Sequence, residues 1–264
     1  MPESITDDGQ LPTPNFRLRQ SSGGRAEAPS ARRRAQLPKL NAFVGSEQAL
    51  RGTTSALERY PVEHPDDRYA LDEILKGGHA TPLRWDRVPD LVVLMPVMQY
   101  EKGRGTEYRA TSERLSDREA TQLVADLTSA LGVLTDNTFQ GFSSVRRESA
   151  AAGDVVNVMR PGQIVVARYS GVRDQLATIG FGGRSTRDST IRAGSIILDN
   201  DFDRGNATRR LLRMHELGHA LGYNHVLSRP SIMNPKVGSE PTTFDRTAAR
   251  IAFQGFRPDA SSCS

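Results

Sequence analysis

Cysteine is almost missing from this chain of 264 residues, and the single one, Cys263, stands next to the last position. One thiol excludes an internal disulfide, a four-cysteine zinc module and a CxxC redox pair. Long apolar runs are missing as well. The longest, Leu91 to Met98, is interrupted by Pro96 and is too short to cross a bilayer as a helix, so no transmembrane segment is expected. Charge of one sign is scarce outside the N-terminal tail. Residues 1–45 hold seven basic side chains (Arg17, Arg19, Arg25, Arg32, Arg33, Arg34 and Lys39) against four acidic ones, and so carry most of the overall net charge of +4. Rings that could stack on bases are limited there to Phe16 and Phe43, which argues against a specific nucleic-acid partner. The tail reads as solvated linker.

Residues 1–45 are rich in Pro, Ser, Gly, Gln and Arg without apolar periodicity, and are expected to be a disordered basic tail. No apolar segment follows a basic start, so no export signal is legible. Residues 46–81 show two weak helical patterns, Ala49 to Leu57 and Tyr69 to Leu75, broken by His64-Pro65 and Gly77-Gly78. They read as an N-terminal appendage or pro-segment. The patterned region is 82–258, followed by a short tail, 259–264.

Within 82–258, Leu91 to Met95 reads as a buried strand. Ser116 and Glu119 form a capping box ahead of Ala120, Leu123, Val124, Leu127 and Leu131, which predicts a helix ending at Gly132. Val155 to Met159 and Ile164 to Tyr169 read as strands joined through Pro161-Gly162. Ala177 to Phe181 reads as a short strand before a Gly182-Gly183 break, and Ser195 to Leu198 as another, running into a polar loop from Asp199 to Asp203. Helices are predicted over 207–221, with Leu211, Met214, Leu217 and Leu221 on the core face, and over 243–253, stopping at Gly255.

The chemistry concentrates in His215-Glu216-Leu217-Gly218-His219-Ala220-Leu221-Gly222-Tyr223-Asn224-His225, where three of only five histidines fall together. On a helix, positions 215 and 219 lie one turn apart and about 40° round, so both imidazoles leave one face. Gly222 ends the helix and permits the reversal that brings His225 back as a third ligand. Three neutral imidazoles leave one position of a tetrahedral zinc ion for water, the arrangement of a catalytic site. Glu216 leaves the helix about 100° from His215, off the ligand face yet within reach of such a water, and is the candidate general base.

This HExxHxxGxxH pattern resembles that of the metzincin zinc endopeptidases, and Ser231-Ile232-Met233-Asn234-Pro235 resembles their Met-turn. The short gap from His225 to Met233 is similar to the matrixin branch. The resemblance implies an α+β, zincin-like catalytic domain over 82–258, with a twisted, mostly parallel sheet, an antiparallel edge strand, an active-site helix and a C-terminal helix. It implies one catalytic zinc on His215, His219 and His225, Glu216 as base, and Met233 as an apolar floor. It further implies a secreted or extracytoplasmic monomer acting on protein or peptide substrates. An extended substrate would pair with the edge strand, read here as Thr178, Ile179, Gly180, Phe181 and Gly182. Calcium near Asp199, Asp201 and Asp203 is suggested by the same resemblance. The chain departs from the family in having no histidines on the strands for a structural zinc and no cysteine to switch the site off. Two other readings stay open: a zinc-containing binding domain without turnover, and a basic tail that is itself the functional element.

Overall fold

Two stretches, Ile164-Val165-Val166-Ala167 and Ile196-Ile197-Leu198, are buried on every residue. Both faces of a strand can be covered in this way only at the centre of a sheet that is packed on two sides. In this computed structural model, which describes residues 65–77 and 82–253, those stretches are the middle of a nine-stranded sheet. In chain order the elements are α1 (Pro65–Lys76), β1 (Arg84–Trp85), β2 (Asp90–Leu94), β3 (Pro96–Gln99), β4 (Glu107–Arg114), α2 (Asp117–Leu134), β5 (Val145–Glu148) and β6 (Val155–Asn157). There follow β7 (Gln163–Ser170), α3 (Val172–Leu176), β8 (Gly180–Arg187), β9 (Thr190–Asp199), α4 (Asn200–Gly205), α5 (Arg209–Leu221) and α6 (Thr243–Phe253). The expectations for the tail 1–45, for Ala49 to Leu57, for the break at His64, and for Gly255 and 259–264 with Cys263 concern positions outside the described residues.

β7 is central, parallel to β9 on one side and to β2 and β3, end to end, on the other. β1 adds to β9, and β5 to β2, also in parallel. β8 runs antiparallel to β9, and β4 antiparallel to both β3 and β6. The architecture is mixed α and β, with a mostly parallel sheet and several helices. Side chains alternate strictly across it. Leu91, Val93, Ile164, Val166, Ile196 and Leu198 face α2, α5 and α6, whereas Val92, Leu94, Val165, Ala167 and Ile197 face a second cluster containing Met98, Tyr108, Val158 and Tyr169. None of the described helices is long and apolar enough to cross a membrane.

α2 starts as expected, with Ser116 and Glu119 bonding each other's backbone. It does not stop at Gly132. Leu131 and Leu134 are both buried, and their burial outweighs the roughly 1 kcal/mol that an interior glycine costs, so the helix runs to Leu134 and is capped at Thr135. Val155 to Met159 and β7 follow one another in sequence without pairing. The Asn157 side chain accepts from the Met159 N–H and ends β6 early, and β6 then joins β4 at the far side of the sheet. The Asp199 to Asp203 segment is helical, because Asp199 accepts from the Phe202 N–H and starts α4. α5 begins at Arg209, two residues later than the pattern suggested. α1 corrects the boundary at 82: Leu71, Ile74 and Leu75 lie in the same core as α2, α5 and α6, so this helix is integral to the domain.

Candidate metal centre

α5 carries the first two histidines into the interior. Its apolar stripe of Leu211, Leu212, Leu217 and Leu221 is held against the sheet and α2. Its C-terminal end is fixed from three directions. The Trp85 indole N–H donates to the Ala220 carbonyl (2.9 Å), and the Tyr223 hydroxyl donates to the Leu134 carbonyl (2.6 Å). The Arg184 guanidinium, reaching from β8, donates to the carbonyls of His219 (3.0 Å) and Tyr223 (3.2 Å). Gly222 then turns the chain at φ +117°, and a side chain there would also strike the Leu83 carbonyl. Both constraints require glycine.

His225 returns beside His215 and His219. The three Nε2 atoms form a triangle with edges of 3.1, 3.2 and 3.3 Å. Three corners of a tetrahedron whose centre lies 2.0–2.1 Å from each nitrogen are about 3.3–3.4 Å apart, so the triangle, slightly tighter, is close to the size needed to hold a metal ion. The tautomers agree with it. His215 Nδ1 lies 2.7 Å from the Ile232 carbonyl, and His219 Nδ1 lies 3.0 Å from the Tyr223 carbonyl. A carbonyl can only accept, so each Nδ1 carries the hydrogen and each Nε2 presents a lone pair to the centre. Lone pairs at this spacing repel unless a cation sits among them. Burial pushes His215 down to about 4 and His219 well below the usual imidazole range, with the neighbouring imidazoles adding to the effect, and burial lowers His225 too. All three are neutral and able to ligate at neutral pH. Among the described residues, they are the one group of histidine, cysteine or carboxylate side chains close enough to hold a metal ion.

Glu216 follows His215 on α5 and is 3% exposed. Burial pushes its carboxyl up to about 8, against the downward pull of a hydrogen bond donated by the Gly182 N–H. Its Oε2 has no hydrogen-bond partner. A buried carboxylate oxygen without a donor is costly unless something outside the chain meets it. Glu216 thus gives α5 a buried carboxyl group with one unpartnered oxygen, on the residue that follows His215.

The loop after His225 closes the site from below. Met233 is fully buried, and its thioether lies against Gly218, which stands between His215 and His219 on α5. The Met233 carbonyl accepts from the Val226 N–H (3.0 Å), and the Asn234 amide donates to the carbonyls of Val226 (2.6 Å) and Arg229 (2.8 Å). Asp245 at the start of α6 takes up the Ser231 hydroxyl and the Ile232 N–H. Sequence reasoning missed Asp245, although a signal was there: Thr242 and Asp245 have capping-box spacing and bond each other reciprocally. Arg184 left no local signal.

Two expectations need correction. The substrate strand read as Thr178 to Gly182 begins only at Gly180 and continues through Gly182-Gly183 to Arg187. Ala177 is left-handed, at φ +53°, which keeps Thr178 and Ile179 out of the strand. Ile179 packs with the helix-side core while Phe181 packs with the opposite cluster, which residues two apart in one strand would not do. The glycines mark close approach: a Cβ on Gly182 would overlap the Glu216 carbonyl and the His219 Cβ. The calcium reading also fails on geometry. Asp203 is wholly buried between Arg168 and Arg213, Asp199 caps α4 and pairs with Arg173, and Asp201 faces solvent. The three carboxylates have separate partners and directions.

A scan against protein-family models finds no match for this chain, and a search of curated proteins finds none either.

Proposed function

We propose that the chain is a zinc-dependent endopeptidase with a zincin-like fold, in which His215, His219 and His225 hold the ion and Glu216 is the general base. The observation that carries this reading is the triangle of three Nε2 atoms, with the residue after His215 a buried glutamate that has one unpartnered carboxyl oxygen. An ion held there supplies Lewis acidity, polarising a peptide carbonyl and acidifying a water.

The rest of the chemistry belongs to the chain. Glu216 accepts a proton from water at Oε2 as the water oxygen adds to the peptide carbonyl carbon. It returns that proton to the departing nitrogen as the C–N bond breaks, leaving a carboxylic acid and an amine. Burial raises the proton affinity of the Glu216 carboxylate above that of a solvated one, which favours taking a proton from water. Beside it, the outer edge of β8 is the candidate platform for an extended peptide, which would pair through its backbone and bring its carbonyl to the histidines.

The test is digestion of an unfolded protein by wild type and by Glu216→Ala, each with its metal content measured, with a chelator control. Cleavage by the wild type alone, at equal zinc content, supports the reading. Equal zinc and no cleavage by either would make the chain a zinc-binding domain without turnover.

A further inference from the structure

His225 differs from the other two ligands in having no regular element to hold it. His215 and His219 ride on α5, whereas residues 223–226 have no helix or strand assignment. Something else must fix that backbone if the third nitrogen is to stay within 3.1–3.3 Å of the other two. The structure supplies it from far upstream, in α1.

One carboxylate oxygen of Glu73 accepts from the Leu227 N–H (3.0 Å) and the other from the Ser228 hydroxyl (2.8 Å). The Ile74 carbonyl, at the end of the same helix, accepts from both the Asn224 backbone N–H (2.9 Å) and its side-chain amide (3.2 Å). The Asn224 side-chain oxygen is taken by Arg184 (2.7 Å), whose guanidinium also caps α5. Gly77, turning at φ +51°, lies directly against the Asn224 carboxamide, where any side chain would overlap it. Asp67 adds an ion pair to Arg229. The residue before His225 and the second residue after it are thus both bonded to one helix, and that helix is anchored in the core through Leu71, Ile74 and Leu75.

We infer that α1 is a positioning element for the third metal ligand, and that Glu73 is its principal positioning residue. The inference rests on the three-histidine site proposed above. It also makes residues 65–77 part of the working site and not a removable pro-segment. Cutting the chain between α1 and β1 and displacing the helix would lower metal affinity and release no inhibition. Groups that orient metal ligands from outside the coordination shell are worth about 10- to 100-fold in affinity, and this is the loss expected for Glu73→Ala.

The experiment is zinc affinity by competition with a chromophoric chelator, for full-length wild type, Glu73→Ala, Glu73→Gln, His225→Ala and Val92→Ala. Glu73→Ala should bind zinc about 10- to 100-fold more weakly. Glu73→Gln should recover most of the loss, since its carbonyl still accepts from Leu227 and its amide can donate to the Ser228 oxygen. Val92, fully buried on the far face of the sheet, is the stability control: its truncation lowers Tm and should leave zinc affinity unchanged. In metal-free protein, the Leu227 amide should exchange faster in Glu73→Ala than in wild type. Equal zinc affinity in Glu73→Ala and wild type overturns the inference and leaves the three-histidine site standing. Equal affinity in His225→Ala and wild type overturns the site itself, and the inference with it.

Discussion

Met233 lies against Gly218 so closely that a methyl group on the glycine would overlap the thioether. The contact joins the loop after His225 to the helix turn between His215 and His219. Ile232, next to Met233, supplies the carbonyl that orients His215. Gly218→Ala should therefore cost about 1–3 kcal/mol, the usual range for overpacking a core. Met233→Ala should also destabilise, by opening a cavity. Combined, the two should cost clearly less than their sum, because each relieves the fault of the other. Urea denaturation of the two single variants and the double variant measures the coupling, and strict additivity would contradict the contact.

Asp203 holds together the elements that carry the site. It is fully buried and accepts from Arg168 on β7 (2.7 Å) and from Arg213 on α5 (2.7 and 2.8 Å). The arginines continue to Glu119 and Asp126 on α2. Removing one partner of a buried pair leaves an uncompensated charge, which costs about 3–5 kcal/mol. Asp203→Ala should lose at least that much in chemical denaturation, or fail to accumulate as folded protein. Asp201→Ala, two residues earlier and exposed, should change stability by less than about 0.5 kcal/mol.

Glu119 sets an acid limit on the fold. Burial tends to raise its carboxyl, but hydrogen bonds from Arg168 and Ser116 outweigh that and bring it down to about 2. A carboxylate held below its unfolded value stabilises the protein above that value and stops doing so as pH falls toward the folded one. Its contribution should be complete at neutral pH and fade between about pH 4.5 and 2. Glu119→Gln should have a lower Tm than wild type at pH 7, with the gap closing across that window. A gap independent of pH would contradict the assignment.

The parts of this molecule legible in its sequence are those encoded locally. The Ser116–Glu119 capping box, the i, i+4 spacing of His215 and His219 and the left-handed turn at Gly222 each involve a few consecutive residues, and each is found in the structure. What was misread depends on distant partners. Gly182 and Gly183 looked like a strand break because glycine usually weakens strands, whereas here β8 runs through both and Gly182 lets it lie against Glu216 and His219. The three aspartates from 199 to 203 looked like one loop, yet two are committed to arginines on β7, α3 and α5. The role of α1 was hidden because the chain it supports, Asn224 to Arg229, lies at the opposite end of the sequence.

In the proposed site, the three histidines act as one metal centre with a position left over. Zinc K-edge X-ray absorption on protein loaded with one equivalent of zinc tests this most directly. Three imidazole nitrogens and one further light ligand are expected at about 2.0–2.1 Å, with the imidazole signal reduced in His225→Ala. A shell of oxygen ligands alone, or a spectrum unchanged by His225→Ala, would contradict it.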